Sequence, residues 1–221
     1  MVGTTLHSII SWEPDSESDL KFFQSIPWCA EVICTPKVRP YQGASLLRTS
    51  RGTDPVIQGF MFRDGGILRH CSLVAEANAI PHLDSHQSGA KTPSSQDPLY
   101  TQNDYPVHID LFTLGPALYG APNRIHGGVL ALLADGICAK AAWIHRDPTK
   151  QLSTAYTNVR FLRPSITGPD GTITIMVKSQ ISQQLTRQGK VVVNASFEGP
   201  GGVVYATSES MIVEKAWKTR L

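Results

Sequence analysis

The residues best suited to chemistry lie on one stretch of the chain, from His126 to Asp135. Two glycines, Gly127 and Gly128, stand at the start of a predicted helix, where backbone N–H groups are free and the helix dipole is positive. Such donors suit a bound anion or the oxyanion that develops during acyl transfer. The alternative is that Gly127-Gly128 is only a tight entry turn.

Asp135 and Lys140 are the only charged side chains in the helix predicted over 129–144, which is otherwise apolar on almost every side and is therefore expected to be buried. At 3.6 residues per turn, Asp135 shares its face with small side chains. An ionised carboxylate is costly to bury without a partner. Asp135 is thus interpreted as a catalytic carboxylate with room for a ligand or water beside it, or alternatively as a structural carboxylate bonded to nearby backbone.

The elements that must position these residues are the helix and a set of strands. Alternating apolar residues predict one strand before the helix, over 107–113. Turns rich in Gly and Pro separate four predicted strands after it, over 153–162, 172–182, 190–198 and 203–213. The order strand, helix, four strands joined by short turns predicts an α+β layer fold.

Residues 1–103 are predicted to form an N-terminal extension to a domain over 104–216, with 217–221 as a tail. The extension is expected to hold a short helix over 15–26, a β-hairpin over 56–74 and a mobile loop over 82–103. Its apolar side chains are too many to stay solvated and too few for a core of their own. Residues 10–80 are therefore expected to pack against the domain, the alternative being a decoration remote from the site.

Composition limits the classes of function. A net charge of +2 with 17% charged residues gives no reason to expect a nucleic-acid partner or a disordered chain. No uninterrupted apolar run reaches the roughly 18 residues of a membrane span. The four cysteines match no zinc or redox spacing, so reduced thiols and no metal or cofactor are expected.

The ends of the chain bear on location. The first residues show neither a basic nor an apolar signal-peptide region, which predicts a cytoplasmic protein. The C-terminal Thr219-Arg220-Leu221 weakly resembles the peroxisomal Ser-Lys-Leu address, so a peroxisomal location is the alternative.

The string His126-Gly127-Gly128, followed seven positions later by Asp135, resembles the helix signature of hot-dog-fold acyl-CoA thioesterases of the phenylacetate-degradation type. The stretch 120–135 is also similar to the mammalian thioesterase-superfamily proteins of that group. The resemblance continues through 154–164 and 187–190 and covers about half of the chain. It implies a hot-dog fold, in which a curved antiparallel sheet of about five strands wraps a long central helix, and a homodimer or dimer of dimers.

The resemblance also implies roles. Asp135 would activate the attacking water or attack the thioester itself, and Thr154 on the following strand would assist. The N–H groups of Gly127 and Gly128 would bind the thioester oxygen, while His126 would hold the loop or the substrate. The chain departs from many relatives in two places: the carbonyl-orienting Asn is replaced, and the acid after the catalytic Asp is missing. Gly120 stands at the position of the Asn, and the nearest Asn is Asn123. Gly136 stands at the position of the acid.

The predicted function is thus a thioester hydrolase that cleaves acyl-CoA or carrier-bound acyl chains, in lipid or polyketide metabolism. Candidates for binding CoA phosphates are Arg124, Arg163, Arg187 and Lys190, although cations of this kind are more often ordinary surface charges. A hot-dog lyase or isomerase acting on a thioester or polyketide-like product is one alternative, and a non-catalytic acyl-binding protein is another. The absence of a Gly-x-Ser-x-Gly elbow excludes an α/β-hydrolase thioesterase.

Helix geometry predicts where the site lies. His126 and Asp135 are nine residues apart, which is about 13 Å along a helix. Catalytic groups must approach the reacting atoms to roughly 3 Å, so these two residues of one subunit cannot act on the same thioester carbon. The sequence therefore predicts a site shared between two subunits, twice per dimer.

Overall fold

The structure, a computed structural model, describes seven parts of the chain, and all structural statements below refer to them: 16–41, 61, 64–76, 79, 105–145, 150–185 and 189–216. The predicted loop 82–103, Arg187 and the tail 217–221 lie outside these residues.

Three α-helices and nine strands form most of the described part, with short 3₁₀ helices at Pro116–Leu118 and Pro200–Gly202. The helices are α1 (Ser16–Gln24), α2 (Pro27–Ile33) and α3 (Gly127–Ile144). The strands are β1 (Val38–Pro40), β2 (Ile67–Ala75), β3 (Val107–Leu114), β4 (Tyr119–Ala121), β5 (Arg124–Ile125), β6 (Lys150–Phe161), β7 (Ile173–Leu185), β8 (Lys190–Glu198) and β9 (Val204–Ala216). Seven strands form one sheet in the order β1-β2-β3-β7-β8-β9-β6, and β4 pairs with β5 in a separate ribbon.

The central helix α3 packs on one face of this antiparallel sheet. Leu130, Leu133 and Ile137 are buried in the main core, together with inward-facing residues of β3, β7, β8 and β9. The sheet contacts α3 through β6, β7, β8 and β9. This is the hot-dog arrangement, so the predicted α+β fold is confirmed, with seven strands in the sheet rather than about five.

One stripe of α3 is not covered by the sheet, so the expectation that the helix is buried on every side is wrong. Asp135 and Gly136 are half-buried, and Trp143 is 44% exposed. A Cβ on Gly136 would meet no atom within 4 Å. The 18 residues of α3 are long and apolar enough to pass for a membrane span by composition alone, but half of them are buried inside this fold.

The N-terminal residues extend the sheet and cover its outer face. β2 pairs with β3 along its whole length, and β1 adds to β2. Phe23 of α1 and Cys29 of α2 are fully buried against Leu73, Ile109 and other residues of β2, β3 and β7. Residues 16–41 and 64–76 thus belong to the same body as the domain over 104–216.

The hairpin predicted over 56–74 takes a different form. The turn forms where it was expected, with Gly65 at φ +74°. However, Met61 is helical, and the strand after the turn pairs with β3 and β1. The physical reason is burial, since Cys71 and Leu73 find their apolar partners on β3 and on the helices. The helix predicted over 15–26 is α1, which ends at Gln24, and Pro27 then occupies the first turn of α2, where a missing N–H costs nothing.

Candidate functional site

The start of α3 is organised by His126. This residue is the N-cap, and its Nδ1 accepts a hydrogen bond of 2.9 Å from the Gly128 N–H. The Gly128 donor is therefore already engaged. No described group accepts from the Gly127 N–H, which leaves Gly127 as the available oxyanion donor of the predicted pair.

Gly120 packs directly against this imidazole. A Cβ at that position would lie 2.6 Å from His126 Cδ2 and 3.0 Å from its Cα. A side chain at position 120 would therefore require the imidazole of His126 to move. Asn123, the nearest alternative, lies in the exposed turn between β4 and β5 with φ +57°.

An open groove of about 360 Å³ begins at the N-terminus of α3. Its wall is polar and apolar in nearly equal parts, and the residues that line it are Ile125, Gly127, Leu130, Phe161, Leu162, Arg163, Pro164 and Ser165. Phe161 is 53% exposed and its ring lies over Gly127, about 3.2 Å from where a Cβ would be. A groove that combines apolar side chains with one cation suits an apolar chain attached to an anionic group.

Asp135 lies further along α3, facing β6. Thr157 donates a hydrogen bond of 3.3 Å from Oγ1 to Asp135 Oδ1, and the Ser210 hydroxyl on β9 lies 3.0 Å from the same Oγ1. The hydroxyl that contacts Asp135 in this structure therefore belongs to Thr157. Thr154, the predicted assisting residue, is exposed, and no hydrogen bond joins it to Asp135 among the described residues.

A β-bulge in β6 explains how Thr157 comes to face the helix. Thr154 pairs with Ile212 and Tyr156 with Met211, so Ala155 is an extra residue on this strand. After the extra residue, side chains of β6 alternate between the two faces of the sheet in the opposite phase. Thr154 and Thr157 therefore lie on the same face, the one that packs on α3. Pairing between distant strands creates this shift, so strict alternation along 153–162 does not reveal it.

The other predicted residues are only partly brought together. Gly127 and Asp135 lie on one helix eight residues apart, about 12 Å along the axis. Arg163 lines the groove, and Arg124 is exposed on β5 beside it. Lys190 on β8 lies level with Val213 on β9 and Ser153 on β6, because these residues are paired across the sheet. Ser153 is eight residues from Phe161 along β6, so Lys190 lies about 25 Å along the sheet from Phe161. Lys190 is therefore remote from the groove of its own subunit.

A second polar cluster, missed by the sequence analysis, is buried between β2, β3 and α3. Asp110 Oδ1 accepts hydrogen bonds from Lys140 Nζ (2.5 Å), Ser72 Oγ (2.6 Å) and His70 Nε2 (2.9 Å). Burial alone would raise the pKa of Asp110, but Lys140 and His70 outweigh it and hold this pKa below its usual range. The carboxylate is thus charged and paired with Lys140 inside the fold.

Two histidines lie next to this cluster. His108 on β3 and His145 at the end of α3 approach to 3.3 Å between their Nε2 atoms. Burial lowers the pKa of His108 to about 4, with Lys140 and His145 adding to the effect, and burial also lowers the pKa of His145. His108 Nδ1 has no hydrogen-bond partner, so a proton added there would be buried unpaired.

We expect His108 to make the protein less stable as the pH falls from about 6.5 to 4. In this window the unfolded chain takes up a proton at His108 that the folded protein, with its pKa of about 4, does not. The loss is on the order of 3 kcal/mol over the window, at about 1.36 kcal/mol per pH unit for one proton. Urea unfolding at a series of pH values measures it.

The variant His108→Gln serves as the comparison. It removes the titrating group, so its free energy of unfolding should change less with pH between 6.5 and 4. Asp110 also stabilises the folded protein, because its pKa is lower in the folded state than in the unfolded chain. That stabilisation is lost only as the pH falls below the ordinary carboxyl pKa of 3.8, which is a separate pH window. Identical slopes for wild type and variant would show that His108 is not the responsible group.

Comparison with known proteins gives similarity to solved structures only. No protein-family model and no curated protein matches the sequence. A thioesterase of Haemophilus influenzae is 13% identical, covering 55% of this chain and 79% of that one, with a TM-score of 0.46. A Bacillus halodurans protein crystallised with CoA is 17% identical, covering 48% and 66%, with a TM-score of 0.43. A mutant thioesterase of Pseudomonas aeruginosa is 12% identical, covering 53% and 80%, with a TM-score of 0.45.

Proposed function

We propose that the protein is a thioester hydrolase that cleaves acyl-CoA or carrier-bound acyl thioesters in a site shared by two subunits. The observation that carries this proposal is the pair of groups on α3. Asp135 is a half-buried carboxylate oriented by a hydroxyl, and Gly127, whose N–H no described group engages, lines the groove. A base and an oxyanion donor are the two groups that thioester hydrolysis requires.

The chemistry follows from these positions. The Thr157 hydroxyl donates its hydrogen bond to Asp135 Oδ1, so the other carboxylate oxygen, Oδ2, is left to accept a proton from water. The water oxygen attacks the thioester carbon, and the Gly127 N–H stabilises the oxyanion of the tetrahedral intermediate. When the carbon–sulfur bond breaks, the carboxylic acid of Asp135 returns the proton to the leaving thiolate. The products are a carboxylic acid and a free thiol.

The separation along α3 supports a site built from two copies of the chain. Gly127 and Asp135 of one subunit are about 12 Å apart along the helix, too far to contact the same carbon. β6 is an edge strand of 12 residues, which leaves its outer hydrogen-bonding groups available to another strand. The end of β6 and the residues that follow it carry three apolar side chains that are at least 40% exposed, namely Phe161, Leu162 and Ile166. A second copy paired with this edge would cover these side chains.

The groove supports the substrate class. The apolar side chains of Leu130 and Phe161 next to Gly127 suit an acyl chain or a pantetheine arm, and the proposed partner of an anionic phosphate is Arg163 in the same groove. The first experiment is to incubate the protein with acyl-CoAs of different chain length and to measure free thiol with a colorimetric reagent. Thiol release supports the hydrolase. A change in substrate mass without thiol indicates a lyase or isomerase, and binding without either indicates a non-catalytic acyl-binding protein.

Complementation between two inactive variants tests the shared site. Gly127→Pro removes the N–H, and proline is accepted at the first helical position because the preceding His126 already has an extended backbone (φ −66°, ψ 131°). We expect Gly127→Pro and Asp135→Asn to be inactive separately. A mixed dimer unites the intact Asp135 of one subunit with the intact Gly127 of the other, so co-refolded protein should recover part of the activity.

The control for complementation is the double variant Gly127→Pro, Asp135→Asn mixed with wild type. This mixed dimer has no site in which both groups are intact, so its activity should come from the wild-type dimers alone. An inactive mixture of the single variants, with mixed dimers shown to be present, would mean that both groups act within one subunit.

A further inference from the structure

We propose that Ser210 is a positioning residue for Asp135, acting through the hydroxyl of Thr157. The inference rests on the proposed function, in which Asp135 is the base, and it adds a residue on β9 that does not touch the substrate. Ser210 is fully buried, and its Oγ lies 3.0 Å from Thr157 Oγ1.

The direction of the hydrogen bonds follows from the number of protons available. Thr157 has one hydroxyl proton, and it donates this proton to Asp135 Oδ1 over 3.3 Å. The 3.0 Å contact between Thr157 and Ser210 must then be made by the Ser210 proton, with Thr157 as the acceptor. The chain therefore runs from Ser210 to Thr157 to Asp135, and Ser210 keeps the Thr157 proton turned toward the carboxylate.

Strand pairing holds the two hydroxyls in place. Thr157 and Ser210 are direct partners across the antiparallel β6 and β9, so their side chains point to the same face. On its other side, Ser210 pairs with Val193 of β8 and is therefore held in the interior of the sheet. A fully buried hydroxyl has no competing water, and the neighbouring Cys138 thiol is only a weak acceptor, so the Ser210 proton stays with the Thr157 oxygen.

The other polar groups near Asp135 are neutral or face away from it. Cys138, one turn further along α3, has a pKa raised to about 11 by burial, with Ser210 and Ser208 partly opposing the shift, so it stays a neutral thiol. The hydrogen bond that Tyr156 on β6 donates to Glu209 on β9 lies exposed on the opposite face of the sheet. Lys140 is turned to the other side of α3, where it pairs with Asp110.

The test compares matched hydroxyl deletions. We expect Ser210→Ala to lower kcat about five- to tenfold, the usual effect of one oriented hydrogen bond, with KM nearly unchanged. Ser208→Ala is the control, since Ser208 also lies buried on β9 and contacts Cys138 at 3.9 Å but does not touch Thr157. Thr157→Val should lose activity similarly, and Thr157→Ser, which keeps the hydroxyl, should recover it.

A second measurement does not depend on activity. The side-chain carboxyl carbon of Asp135 is observed by NMR at pH 7 in wild type, Ser210→Ala and Ser208→Ala. The chemical shift of a carboxyl carbon responds to the hydrogen bonds that its oxygens accept, so Ser210→Ala should move this resonance and Ser208→Ala should leave it at the wild-type position. Equal kcat and equal carboxyl resonances in the two variants would overturn the proposal. If wild type releases no thiol, the proposed hydrolase fails, while the carboxyl resonance still decides whether Ser210 orients this carboxylate.

Discussion

The variant Asp135→Asn is expected to lose at least about a hundredfold in kcat for acyl-CoA hydrolysis while keeping its fold. The amide has the shape of the carboxylate but cannot take the proton from water, and general-base catalysis typically contributes about 10²–10⁴-fold. Its Oδ1 can still accept the hydrogen bond from Thr157, so the local geometry is preserved. Thiol release measures the activity, and thermal unfolding checks the fold.

Glu17→Gln is the matched control for this substitution. It makes the same change from carboxylate to amide on the exposed surface of α1, where Glu17 pairs with Lys21 four residues away and with no other described residue. Its turnover should equal that of wild type. Unchanged turnover in Asp135→Asn would remove Asp135 from the mechanism and leave the groove as a binding site.

The variant Lys140→Met is expected to lower the free energy of unfolding by about 3–5 kcal/mol, the usual cost of removing one partner of a buried ion pair. Methionine fills most of the volume of the lysine stem, so little of the effect comes from a cavity. It leaves the Asp110 carboxylate 1% exposed with the hydrogen bonds from Ser72 and His70 but without the lysine ammonium that pairs with it. Urea denaturation at pH 7 measures the change.

Two comparisons isolate the buried charge. Lys21→Met breaks an ion pair whose side chains are 69% and 75% exposed, so stability should stay near that of wild type. Adding Asp110→Asn to Lys140→Met removes the buried carboxylate charge and should restore part of the lost free energy of unfolding. If Lys140→Met and Lys21→Met lowered the free energy of unfolding by the same small amount, the Asp110–Lys140 pair would not be a buried charged pair in solution.

The elements that the sequence predicts well are those specified by neighbouring residues. The strand over 190–198 agrees with β8 at both ends, because a turn at Gly189 and another at Gly199 bound an apolar run. The helix predicted over 129–144 ends at the predicted residue and begins two residues earlier, at Gly127. Helical periodicity and glycine-containing turns act over a few residues, so local sequence is sufficient to predict them.

The candidate site was only partly predictable, because only part of it depends on residues that are neighbours in the sequence. The spacing of Gly127 and Asp135 on one helix is a local property, and it already shows that one subunit cannot bring both to the same atom. The engagement of the Gly128 N–H by His126 depends on the imidazole turning back over the helix start, where Gly120 makes room for it. That room is a contact with another segment, which spacing does not reveal.

Tertiary structure alone decided which hydroxyl meets Asp135 and which charges are buried. Alternation along 107–114 is typical of a half-buried strand, yet every residue of β3 is buried, because α1 and α2 cover one face and α3 the other. His108 and Asp110 are thereby buried against Lys140, and the bulge in β6 brings Thr157 to Asp135. Both outcomes depend on residues far away in sequence that cover a face or shift a register, whereas the sequence by itself determined the helix, the strands and the residues they carry.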